Sequence, residues 1–143
     1  MVDTIRQAWS WTGLNPAEVI ETNAFGNLLV KAVDGSIWRI CPESLTCEKI
    51  AADLAGLEKL RGDKDFLLDW EMTRLVALAN NKLGTTKQGR CYCFKLVPAL
   101  GGKYDSDNLA EIPLEQLIAF SGDLAEQIKD VPDGGQIKID WIP

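Results

Sequence analysis

Apolar and polar positions alternate with two different periods along this chain, and the changes of period predict its elements. Asp3 is placed to cap a short helix over Thr4–Trp11, which Gly13 ends. Asn15-Pro16 has the form of a second N-cap with proline at the first helical position, so a turn of helix is expected through Glu21. Beyond a turn at Phe25-Gly26-Asn27 the pattern becomes strand-like. Leu28–Ala32 is apolar, and Ser36–Ile40 follows with Ile37 and Trp38 directed to opposite faces. The Asp34-Gly35 step between these runs predicts a hairpin. Pro42 breaks the second strand, and Thr46–Ile50 is expected to add a third.

Helical spacing returns over Asp63–Asn81, where Phe66, Leu67, Trp70, Leu75, Leu78 and Ala79 recur, with Gly84 as the stop. Cys91–Val97 alternates again and reads as a strand, closed by Pro98 and Gly101-Gly102. Ile112-Pro113 introduces a last helix over Leu114–Val131, with Leu117, Ile118, Ser121, Leu124, Ala125 and Ile128 as its apolar stripe. Pro132-Asp133-Gly134-Gly135 is a turn signal, and Gln136–Trp141 is expected to form a final strand. The expected fold is α+β: a curved, mostly antiparallel sheet packed with a long central helix and a C-terminal helix. With no linker, repeat or low-complexity stretch, residues 1–143 are expected to form a single domain.

Charge narrows the partners. The 21 acidic and 15 basic residues leave a net charge of −6, with the bases scattered among acids. Such a surface repels phosphate backbones, so direct nucleic-acid binding is disfavoured and a basic partner fits better. No segment has the length of a membrane span, and Met1–Leu14, carrying Asp3 and Arg6, does not read as a signal peptide. A cytoplasmic protein is expected. Cys41/Cys47 and Cys91/Cys93 lack the spacing of a zinc or redox motif and read as buried free thiols. Cys91 and Cys93 would share one face of their strand.

Chemistry is hard to find. There is no histidine, which removes the commonest general base and zinc ligand. Gly101-Gly102-Lys103 lacks the spacing of a phosphate-binding loop, and neither a dinucleotide-binding glycine pattern nor a nucleophile elbow is present. Asp63, Asp65 and Asp69, or Asp105 and Asp107, could in principle supply paired carboxylates. Asp63 and Asp65, however, suit the start of a helix, and Asp69 suits its solvent face. Asp105, Asp107 and Asn108 are too sparse an oxygen set for calcium. No cofactor, metal or catalytic residue is therefore expected. Of the five tryptophans (Trp9, Trp11, Trp38, Trp70 and Trp141), most belong to the core. Trp38, beside Arg39 near the hairpin turn, is the candidate binding anchor.

Three segments resemble a known bacterial family. They are Gly26–Leu29 with Asp34–Glu43, then Gly89–Lys95, and then Leu100–Asp105 with Phe120–Ala125 and Gln127–Asp130. Together they look like the C-terminal domain of type VI secretion DNase-immunity proteins, over roughly Trp9 to the C-terminus. The resemblance implies an α+β immunity domain that binds and neutralises a cognate toxin effector, a DNase in the best-known members. An acidic inhibitor can steer into a basic nuclease cleft and occlude it. The hairpin tip with Asp34 and Trp38, and the loop with Lys103, Tyr104, Asp105 and Asp107, are the candidate contact residues, since loops and tips carry function more often than the scaffold does. Two alternatives stay open: a small-ligand or regulatory module, and a carboxylate-based hydrolase. Ser121, Gly122 and Asp123 are expected to serve helix packing, with the glycine marking close approach of another backbone.

Overall fold

A computed structural model describes residues 1–131 of the 143. The first helix, α1 (Val2–Trp9), starts two residues earlier than expected and runs into a 3-10 turn at Ser10–Thr12, which Gly13 ends at φ +99°. Met1 takes the N-cap position; Asp3 lies in the first turn and pairs with Arg6.

Asn15-Pro16 does not open a helix. Pro16–Thr22 is β1, an edge strand paired antiparallel to β2 (Leu28–Ala32). Proline is tolerated here because it occupies the first position of an edge strand, where no ladder donor is required. The Asp34-Gly35 hairpin leads into β3 (Ile37–Cys41), and β4 (Thr46–Ala51) completes an open four-stranded meander of order β1-β2-β3-β4. Between the last two strands, Pro42–Ser44 forms a 3-10 turn that ends at Leu45 with φ +54°.

The long helix expected over Asp63–Asn81 is two helices. They follow α2 (Leu54–Arg61), which the sequence pattern does not predict, and are α3 (Lys64–Glu71) and α4 (Thr73–Leu83). Met72 separates them at φ +49°. Asp63 caps α3, accepting from the amides of Asp65 and Phe66 at 2.8 and 3.2 Å, as a carboxylate at a helix N-terminus should. Gly84 ends α4.

A second, two-stranded sheet pairs β5 (Arg90–Phe94) with β6 (Leu109–Pro113), and α5 (Leu114–Ile128) follows directly. The fold class is α+β, as expected. The strand and turn anticipated over 132–141 lie outside the described residues.

The alternation of side chains across each strand places the helices. On one face of the four-stranded sheet Leu28, Val30, Ala32 and Ile40 pack against Ile5, Trp9 and Ile118 of α1 and α5. On the other, Leu29 and Ile37 pack against Leu57 of α2 and Trp70 of α3. The small sheet is also covered twice. Tyr92, Phe94 and Leu109 meet Ala79 of α4, whereas Cys91 and Cys93 share the face that meets Leu117 of α5. Thus α5 holds the two sheets together, and α3–α4 arch over the outer face of β3–β4. That arch makes the site.

Candidate functional site

A groove of about 880 Å³ opens between the β3–β4 face and the α3–α4 junction. Its floor is set by strand alternation. Arg39 and Cys41 of β3, with Thr46, Glu48 and Ile50 of β4, point to this side. Trp38 and Ile40 point to the opposite, α1/α5 side. Leu68, Asp69, Met72 and Arg74 form the helical wall; Glu43 and Ser44 close one end, and Tyr104 stands at the rim.

Beneath the groove runs a chain of polar contacts that passes through the core. Glu43 is only 5% exposed and Asn27 is fully buried. The Asn27 amide nitrogen donates to both Glu43 carboxylate oxygens, at 3.1 and 2.9 Å. The Asn27 carbonyl oxygen accepts from Nε and Nη2 of Arg39 at 3.1 and 2.9 Å. The remaining arm of Arg39 pairs with the exposed carboxylate of Asp69, and its guanidinium lies 5.3 Å from the Trp70 ring centroid. The guanidinium is thereby fixed in one plane by three hydrogen bonds and an aromatic face.

The surroundings tune the titrating groups. Burial, with Glu43 nearby, pushes the Cys41 thiol up to about 12. Burial raises Cys91 to about 12, and Cys47 and Cys93 to about 11. These thiols are protonated at neutral pH and therefore poor nucleophiles. Tyr104 is also raised, first by burial, then by the nearby Glu43 carboxylate, the Cys41 thiol once it ionises, and the Asp69 carboxylate. Among the described residues no three His, Cys, Asp or Glu side chains gather as a metal site requires.

Residues 51–125, just over half of the chain, match the family described as "T6SS immunity protein Tdi1, C-terminal". The chain belongs to this family. The matched stretch supplies the helical wall of the groove and Tyr104, while the strand floor precedes it. Among solved structures, the chain is similar to the crystal structure of Atu4351 from Agrobacterium tumefaciens, with a TM-score of 0.56 at 17% identity over 85% of this chain. That likeness speaks for the fold alone, and the present chain spans only 62% of that chain's length. No curated protein matches the sequence.

The candidate contact residues of this immunity-family chain fall into two separate places. Asp34 and Trp38 line a small cleft at the hairpin end with Gly13, Asn15 and Val33. Ser36 donates to Asp34 through both its amide and its hydroxyl, which holds the Asp34 carboxyl below its usual range. Trp38 is half-buried, and its indole N–H donates to the Ser36 hydroxyl at 2.9 Å. Tyr104 belongs to the groove instead. It is 56% exposed and packs edge-on against Phe94 at 5.3 Å. Lys103, Asp105 and Asp107 surround it, all exposed, with Asp107 reaching Lys82 at 3.4 Å.

Sequence reasoning missed the residues that shape this rim. Asn108 donates to the carbonyls of Leu96 and Lys103, both at 2.8 Å, and accepts from the Leu96 amide at 2.9 Å. Gly102 has no side chain because a Cβ would collide with the Leu96 carbonyl. The polar chain Glu43–Asn27–Arg39 was likewise unforeseen. Its only sequence signal was the presence of a charged residue at an inward strand position.

Proposed function

We propose that this chain neutralises a cognate antibacterial toxin of the type VI secretion system by binding it and covering its active site, within the cytoplasm of the cell that makes both. The observation that carries this reading is the family match over residues 51–125. On this reading residues 1–143 form one immunity domain, and the chain supplies contact surface and charge but no catalytic group.

A DNase is the toxin class the charge favours. A nuclease presents a basic cleft to hold phosphates, and a chain of net charge −6 is attracted to such a cleft at long range. The loop residues Lys103, Tyr104, Asp105 and Asp107 are the proposed contact patch. They combine an exposed aromatic ring with two exposed carboxylates beside the groove. Asp34 and Trp38 form the competing patch at the hairpin end. Trp38 faces the side of the sheet opposite to Arg39, which puts the two patches on different faces.

The test is co-expression with the product of the adjacent gene. The neighbour is expected to arrest growth alone, and to co-purify with this chain and lose its toxicity when both are made. A neighbour that is harmless, or that stays toxic and unbound, refutes the proposal. Tyr104→Ala against Asp34→Lys then identifies the contact patch by which variant fails to restore growth.

A further inference from the structure

We propose that the groove between β3–β4 and α3–α4 is the seat of a lysine or arginine side chain of the toxin, drawn to Glu43 and flanked by Tyr104 and Leu68. This deepens the immunity reading above and rests on it.

The charge of the floor is the first argument. Glu43 is a carboxylate removed almost entirely from water, and among the described residues no lysine or arginine lies within ion-pair distance of it. Its partner is the neutral amide of Asn27. A buried carboxylate without a cation is costly, and an amide offsets only part of that cost. The nearby guanidinium of Arg39 cannot serve, because Asn27 lies between and its free arm is taken by Asp69. An incoming cation therefore meets a negative charge that is already desolvated and held in place, the condition under which a charge pair binds most strongly.

The rest of the lining agrees. Glu43, Glu48 and Asp69 face the groove against Arg39 and Arg74, and Arg39 is already neutralised by Asp69. Burial raises the Tyr104 hydroxyl first, and the carboxylates of Glu43 and Asp69 at the same groove raise it further. The walls also suit a long basic side chain. Leu68 is 60% exposed and Tyr104 56%, and both line this groove. A lysine or arginine has an apolar stem that such residues cover, and a charged head that an aromatic face attracts. An acidic group from the partner fits poorly at Glu43, where it would meet that carboxylate and would have to displace Asp69 from Arg39, which leaves the exposed Arg74 at the wall as the other groove-lining cation it could reach.

The experiment is calorimetric titration of the full chain with an inactivated form of the adjacent toxin. Glu43→Gln, Leu68→Lys and Tyr104→Lys are each expected to weaken binding at least tenfold, while Leu54→Lys, an exposed position on α2 away from the groove, leaves it unchanged. Thermal melting of each variant checks its fold. Should Glu43→Gln not fold, the two exposed positions decide. Wild-type binding with Leu68→Lys and Tyr104→Lys equally tight removes the groove as the seat and leaves the immunity reading standing. Tighter binding by the two lysine variants means an acidic partner group, which also overturns the proposal. Absence of wild-type binding overturns the groove and the immunity reading together.

Discussion

Gly122 of α5 faces the backbone of Ala8 in α1 so closely that a Cβ on Gly122 would lie 2.6 Å from the Ala8 carbonyl oxygen. This crossing brings Trp9 within reach of the turn below, where its indole N–H donates to the Ile118 carbonyl at 3.0 Å. Gly122→Ala is therefore expected to push α1 and α5 apart. The helix propensity gained from alanine, about 1 kcal/mol, is outweighed by an overpacking cost of about 1–3 kcal/mol plus strain on the Trp9 hydrogen bond. Urea unfolding should show a lower midpoint than wild type with an unchanged slope.

Asn27 holds Glu43 and Arg39 at once, which makes it the most sensitive member of the polar chain. Asn27→Ala leaves a buried carboxylate without its donor and two guanidinium N–H groups without their acceptor. A loss of about 3 kcal/mol or more is expected, the scale for stranding a buried charge. Glu43→Gln removes the charge and keeps the shape, so it should cost much less. The double variant should then be less destabilised than the sum of the two singles, since the stranded charge is gone. Chemical unfolding of the four proteins measures this directly.

Part of this architecture was legible in the sequence because it is local. The Asp34-Gly35 hairpin, the Pro42 break, the Gly84 stop and the α5 stripe each rest on turn chemistry or periodicity within a few residues. What escaped was fixed by tertiary context. The pairing of β1 is irregular at two places, which blurs its alternation, and Asn15-Pro16 imitates a helix start. The break at Met72 carries no glycine or proline to announce it; packing of Met72 against the α4 cluster holds it there. The expectation of a solvent-facing Asp69 was right about its exposure, yet nothing in the helical period could show Arg39 waiting across the groove. Asn27, Arg39 and Glu43 have no shared spacing, and only the sheet register brings them together.

The four thiols predict an alkaline limit on stability. Each is raised by burial, to about 11 or 12, above its ordinary value near 9. Between those values the unfolded chain has lost protons that the folded chain retains, so raising the pH favours unfolding. The contribution is fully present below pH about 9 and is lost as pH rises towards 11–12. The urea midpoint should therefore fall between pH 8.5 and 10.5, and replacing Cys91 and Cys93 by alanine should flatten that fall. Thiol reagents at pH 7.5 should react far more slowly with the folded than with the unfolded chain.

Asn108 tests whether Tyr104 is a positioned group or merely a surface residue. Its side chain makes three hydrogen bonds that tie Leu96 and Lys103 together, and Tyr104 follows directly. Asn108→Ala removes all three, but the freed groups belong to the exposed residues Leu96 and Lys103, where water can replace the lost partner. The global cost should accordingly stay near about 1–2 kcal/mol. Locally the effect should be larger. Amide exchange at Leu96 should accelerate strongly, and the ring contact of Tyr104 with Phe94 should loosen while α1 and α5 keep their protection. If Tyr104 must be held at the groove rim to meet the toxin, Asn108→Ala will weaken binding as Tyr104→Ala does, and combining the two will add little further loss. Fully additive losses would show that Asn108 and Tyr104 act separately.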